Sequence, residues 1–211
     1  MITKNYKRLM TVFNSYTGST SSGFLVSGLK SIFGTSHSLA NYTSITTTST
    51  SSSSIFGNAT VGIRENYANF SIVPKTFIKA LPQDISQLTE NTYTLNHATI
   101  VVGNGTTAPT EEDYYLESPI TSGLSVTGLT GGSVRDNENK HIGSKIVYTL
   151  QNNSSSDITI SELGLIQALA TTVVSNTPSN PYWFLMDRTV LSTPITIPPG
   201  ETANISIKFT L

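Results

Sequence analysis

The chain has 211 residues, enough for one large domain or two small ones, with a net charge of −1 and only 12% charged residues. Ser and Thr together make up about 29% of it, well above common usage. So balanced a charge offers nucleic acid or an anionic membrane no electrostatic pull, and the apolar runs fall far short of the roughly 20 residues of a spanning helix. There is no cysteine, which excludes a disulfide scaffold, a thiolate zinc site and a cysteine nucleophile together. A hydrophobic share of 37% argues against wholesale disorder and for a polar, β-rich, soluble chain.

Residues 1–58 read as an extended, Ser/Thr-rich arm ending in an unbroken Ser/Thr run over 46–54. Lys4, Lys7 and Arg8 precede an apolar stretch that Asn14 and Ser15 break at once, so no export signal is expected. Tyr6, Leu9, Met10 and Phe13 fall at i, i+3, i+4 and i+7, which predicts a short helix within 3–14. Phe24, Leu29 and Phe33 are apolar islands that cannot build a core of their own. They predict an arm laid on the rest of the protein or on a neighbouring subunit.

The second expected unit is a β domain over 59–211. Val61, Ile63, Phe70 and Ile72 alternate with polar residues, and Thr92–Val102 is a strand bounded by Asn91 and Gly103. Gly103-Asn104-Gly105-Thr106-Thr107-Ala108 matches G-x-G-x-x-A. Pro109 stands where a dinucleotide-binding helix would run, and the segment reads as a turn from a strand into a short helix instead. Thr110 with Asp113 three residues on predicts a capped helical turn through Tyr115 and Leu116.

Ile142–Leu150 and Ile158–Ile166 are strands joined by a polar connection, either as a hairpin or as an arc between sheets. Pro198-Pro199-Gly200-Glu201 is a turn, and Ala203, Ile205, Ile207, Phe209 and Leu211 form one face of a final strand. The fold class is all-β, an antiparallel sandwich of jelly-roll or Ig-like type.

Candidate chemistry is sparse. His37, His97 and His141 lie apart, without a ligand partner at i+2 or i+4, and no catalytic signature occurs. Glu111, Glu112, Asp113 and Glu117, and separately Asp136 and Glu138, could hold Ca²⁺. Capping and an exposed turn account for them as well. No cofactor and no metal are expected. Tyr182, Trp183 and Phe184 could stack on a sugar, or could simply be core. Seven N-x-S/T sequons, Asn152 and Asn204 among them, are close to chance in so Ser/Thr-rich a chain.

Three segments, IVVGNGTTAPTEEDYYLESPI (100–120), YTLQNNSSSDITISELGLI (148–166) and FLMDRTVLSTPITIPPGETANISIKF (184–209), together resemble a pattern in structural proteins of tailed bacteriophages. The resemblance implies a non-enzymatic virion component: a head decoration protein, or a ring subunit of the head–tail junction or tail. Such a protein assembles in the host cytoplasm with other virion proteins and with copies of itself. Within these segments Glu162, Asp187 and Arg188 are expected to be partly buried, with Arg188 paired to Glu162 or Asp187. An alternative is a receptor- or glycan-binding fibre module using Tyr182–Phe184 or loops around Gly128–Lys140, with a host surface glycan as partner.

Overall fold

The computed structural model describes residues 1–8, 24–41, 45–49, 59–65, 68–70, 76–77, 97–136, 141–169 and 182–210. Side chains are described at 1–8, 28–37, 98–131, 145–168 and 182–207. Apart from a helical turn at residues 4–8, the regular structure of the described residues is β. In chain order the strands are β1 (Phe24–Lys30), β2 (Ser36–Asn41), β3 (Ile45–Ser49), β4 (Ala59–Glu65), β5 (Ala68–Phe70) and β6 (Thr76–Phe77). They continue with β7 (His97–Gly103), β8 (Leu124–Asp136), β9 (His141–Asn152), β10 (Ile158–Leu169), β11 (Tyr182–Ile197) and β12 (Thr202–Thr210).

Two sheets form the body. One has the order β11-β10-β7-β6 and the other β12-β9-β8; all their pairings are antiparallel except the short β6–β7 contact. The pairs β1–β2 and β3-β4-β5 are smaller separate sheets. β9 and β10, consecutive in sequence, do not pair with each other. The polar connection is therefore an arc between sheets, one of the two forms the sequence allows. The Pro198–Glu201 turn, with Gly200 at φ 77°, carries β11 into β12 in the same way.

A single apolar cluster draws on both sheets: Ile100, Val102, Ile160, Leu163 and Ile197 from one, and Leu124, Ile146, Tyr148, Leu150 and Ile205 from the other. Alternation along β9 and β12 produces it, since every second side chain points the same way. Ala203 and Ile207 of β12 join this cluster as expected, while the side chains of Phe209 and Leu211 lie outside the described residues.

β10 behaves differently, being buried along its length from Ile160 to Ala168. Its second face, with Val101, Trp183 and Leu185, is covered by Ile32, Tyr115 and Leu116. A strand buried on both faces reads as a continuous apolar run, which is how ISELGLIQAL reads apart from Ser161, Glu162 and Gln167.

The segment after β7 is a turn-rich loop, not a helix. Asn104 N donates to Ser118 O at 2.9 Å and Ile120 N to Val102 O at 2.9 Å, so the loop's ends meet on β7. The Thr110–Asp113 cap forms, with Thr110 N to Asp113 Oδ2 at 3.0 Å and Thr110 Oγ1 to Asp113 Oδ1 at 2.8 Å. A turn at 111–112 follows it and no helix does, because the chain is held to the sheet on both sides. The stretch from Gly128 is likewise not a loop: β8 runs to Asp136, which pairs with His141. Among the described residues no helix is long and apolar enough to cross a membrane.

Candidate functional site

The three segments that carry the resemblance converge on one buried point. Glu162, on the second face of β10, is 0% exposed and Arg188, on β11, is 3% exposed. Arg188 Nε donates to Glu162 Oε2 at 2.8 Å and Nη1 to Asp113 Oδ2 at 2.8 Å. Nη2 donates to Thr107 O at 3.3 Å and lies 3.5 Å from Glu117 Oε2. Glu162 accepts three further bonds from loop backbone: Gly105 N at 3.2 Å and Ser118 N at 2.7 Å on Oε1, and Glu117 N at 3.1 Å on Oε2. Glu117 in turn accepts from Thr107 N at 2.8 Å and from the Thr107 hydroxyl. A buried charge is tolerable only when paired and fully hydrogen-bonded, and here both conditions hold.

This knot explains the glycines. A Cβ on Gly105 would stand 2.6 Å from Glu162 Oε1 and one on Gly103 would stand 2.5 Å from the same atom. Both approaches are closer than any side chain permits. The G-x-G pattern thus admits a carboxylate from the neighbouring strand, and no phosphate is required to account for it. A Cβ on Gly164 would meet Val101, Leu185 and Leu116 at 2.8–3.0 Å, so that glycine seats the loop's Leu116 on β10.

The electrostatics follow from the pairing. Burial raises the Asp113 carboxyl, but hydrogen bonds from Arg188 and Thr110 outweigh it, and its pKa is lowered. Burial likewise works against the Arg188 charge, yet the bonds to Asp113 and Glu162 leave its pKa raised. Hydrogen bonds from Thr107 lower the pKa of Glu117. Burial, then the Glu162 charge, pushes the Tyr115 phenol up to about 12.

The expected partnership of Arg188 is realised with Glu162 and not with Asp187. Neighbouring residues on a strand point to opposite faces, so Asp187 turns away, 34% exposed and within 3.3 Å of the Met1 amine. Asp113 and Glu117 meet the guanidinium, so the place a Ca²⁺ ion would take among these carboxylates is filled by the chain's own cation. Among the described residues no three His, Asp or Glu are grouped to hold a metal. Glu111 and Glu112 pair instead with Lys7 and Lys4 at the surface.

The aromatic triplet does not form a surface platform. Trp183 and Phe184 are 1% and 0% exposed, and only Tyr182 reaches solvent, at 40%. Of the arm residues, Tyr6 is half-buried, Leu29 is buried and Phe33 is 67% exposed on the turn after β1. Leu9, Met10 and Phe13 lie outside the described residues, as does the side chain of Phe24. His37 stacks on Tyr182 at 4.1 Å and meets Phe184 edge-on at 5.9 Å, and burial lowers its pKa. The side chains of His97 and His141 are not among those described.

The sequence presents Gly105 and Thr107 only within the G-x-G-x-x-A match and Asn152 only as a sequon and turn residue, with no sign of their structural roles. Asn152 is 0% exposed, and its amide donates to Ser156 O at 2.8 Å and Ile197 O at 2.7 Å, binding the two inter-sheet arcs together. Its backbone adds bonds to Glu201 and Gly200. A glycan on that amide is incompatible with this packing, sequon or not.

An open cleft of about 520 Å³ lies beside the knot, between Phe33, Tyr114, Tyr115 and Glu117, with Arg188 in its floor. The polar groups on its floor are already bonded to one another. The fold and site define an all-β protein of antiparallel sheets whose principal polar constellation is internal. No family model, no curated protein and no solved structure matches the chain.

Proposed function

We propose that the chain is a structural protein of a tailed-bacteriophage virion, a capsid decoration, head–tail junction or tail component, working by non-covalent assembly. Its partners are other virion proteins and further copies of itself, and the site of assembly is the host bacterial cytoplasm. It acts as neither an enzyme nor a cofactor carrier and takes no part in sequence-specific nucleic-acid or membrane binding. The observation that carries this reading is the convergence of all three resembling segments on the Arg188–Glu162 knot. What the shared pattern specifies is therefore a folded body, since its charged groups are consumed in holding a loop to a sheet.

The finer fold reading belongs here too. The two sheets form a sandwich, of jelly-roll or Ig-like type, supported by the apolar cluster drawn from both and by two arcs crossing between them. Residues 1–58 serve as an assembly arm on a 59–211 body, and the described part of that arm is seated on the same chain through Thr3, Asn5, Leu29 and Ile32. The glycan-binding alternative loses its platform with the burial of Trp183 and Phe184.

Mass photometry of the purified full-length chain, followed by co-sedimentation with phage particles lacking it, tests the reading. A defined oligomer or stoichiometric uptake by particles is the expected result. A monomer that neither self-associates nor sediments with particles would overturn it.

A further inference from the structure

Both walls of the cleft beside Arg188 are fixed from behind. One is the turn after β1, where Ser31 N donates to Thr35 O at 2.9 Å, Gly34 N to Ser31 O at 2.8 Å and Ile32 N to Trp183 O at 2.9 Å. Ile32 is buried against Trp183 and Leu116, which holds its neighbour Phe33 outward at 67% exposure. The other wall is the loop over 107–117, anchored by Asp113 on Arg188 and by Leu116 on β10. Gly34, at φ 81°, lets the walls meet, since a Cβ there would stand 3.4 Å from the Tyr114 ring. Filling a cleft whose walls are already ordered costs little further entropy.

Two of the five exposed large hydrophobics among the described residues, Phe33 and Tyr114, line this cleft. Exposed aromatics on a rigid support are what interfaces use as anchors. The charges around them are unequal. Glu111 is matched by Lys7, but Glu112, Asp113, Glu117 and Glu162 face only Lys4, Lys30 and Arg188. Arg188 spends its hydrogen bonds on Glu162, Asp113 and Thr107 O, and Lys4 pairs with Glu112. Glu117 accepts from the Thr107 amide and hydroxyl and from the Thr106 backbone, yet it is 41% exposed. An ionised carboxylate offers about four acceptor positions, so Glu117 keeps room for a further donor. Lys30 Nζ, 3.9 Å above the Tyr114 ring, shows an aromatic face here already drawing a cation.

We propose that this cleft of about 520 Å³ is the docking site for an arginine side chain of a partner protein, with its guanidinium stacked on Phe33 and bonded to Glu117. The proposal rests on the assembly reading above and names the chemistry of one of its contacts. Arginine fits better than lysine because a planar, weakly hydrated guanidinium stacks on a ring and donates to a carboxylate at once. An inorganic cation would leave the apolar lining unused, whereas the methylenes of an arginine cover Ile32 and Leu116.

N-acetyl-arginine methylamide is the probe, with its uncharged isostere N-acetyl-citrulline methylamide and the lysine counterpart as controls. Each is titrated into the full-length chain at low salt and followed by amide NMR shifts. The expected result is a saturable response confined to residues 31–35 and 107–117, of millimolar affinity for arginine, weaker for lysine and absent for citrulline. Phe33→Ala, at an exposed position that leaves the fold intact, should weaken arginine binding by about fivefold or more. Glu117→Gln should weaken it to the level of citrulline, while Glu201→Gln, at an exposed carboxylate on another turn, leaves it unchanged. Where Glu117→Gln also loosens the loop, seen as a lower melting temperature, Phe33→Ala remains decisive.

No saturable response, an equal response to citrulline or lysine, or arginine binding indifferent to Phe33→Ala would overturn the site. Arginine binding by a chain that neither self-associates nor sediments with particles leaves the site standing and overturns the virion reading alone. Uptake by particles without arginine binding does the reverse.

Discussion

Glu162 is the one charged residue of β10, and its burial makes sense only through Arg188 and the three loop amides from which it accepts hydrogen bonds. Removing one member of such a pair leaves an uncompensated buried charge, which costs about 3–5 kcal/mol. Arg188→Ala is therefore expected to lower thermal stability by that order, whereas Asp187→Ala, at the exposed neighbouring position, should cost under about 1 kcal/mol. Paired thermal melts check both, and equal losses would refute the assignment. Gly105→Ala should also destabilise markedly, because its Cβ would fall 2.6 Å from Glu162 Oε1.

The Asp113 carboxyl titrates below its ordinary value of 3.8 when folded. Its stabilising contribution is thus complete above that value and is lost as pH falls through the folded pKa. Asp113→Asn should remove this part of the acid-side slope, read as stability against pH between roughly 5 and 2.

At the scale of elements, the loop over 104–118 behaves as part of the sheet it covers. Its backbone amides at Gly105, Glu117 and Ser118 have a carboxylate as their partner in place of water. Hydrogen exchange at these three amides is expected to be slow for a loop, and to speed up by tenfold or more in Glu162→Gln, a loss of at least about 1.4 kcal/mol. The arcs depend in the same way on Asn152. Asn152→Ala removes the amide donor of Ile197 O and leaves Ser156 O with the Ser154 hydroxyl alone, and a loss of about 1–3 kcal/mol is expected in denaturant unfolding. Neither device is visible in a local pattern: Asn152 sits in a run of polar turn residues, and the role of its amide depends on a carbonyl 45 positions away. The 111–112 turn shows the opposite error. Its cap residues are legible, but Arg188 and Glu162 take over the segment that local propensity alone would have continued as a helix.

For the whole molecule, Tyr148 lies in the shared cluster between the sheets, and burial raises its phenol to about 12. Tyr115, on the other side of the sheet, is raised to about 12 as well. A folded pKa above the ordinary value of 10.0 means stability that is intact below pH 10 and lost as pH rises toward 12. Thermal melts from pH 8 to 11.5 should fall on the alkaline side, and Tyr148→Phe should flatten part of that fall.

Sequence alone determined the all-β class, the strands β9, β10 and β12, the apolar face of β12, the Pro198–Glu201 turn and the charged residues Glu162 and Arg188. Each of these rests on nearest-neighbour periodicity or on the conformational range of single residues. Only the tertiary structure decided that β9 and β10 belong to different sheets, that Arg188 takes Glu162 and leaves Asp187, and that Trp183 and Phe184 are core. Those outcomes depend on which strands meet across more than twenty residues of chain, where the burial of one shared apolar face outweighs every local preference.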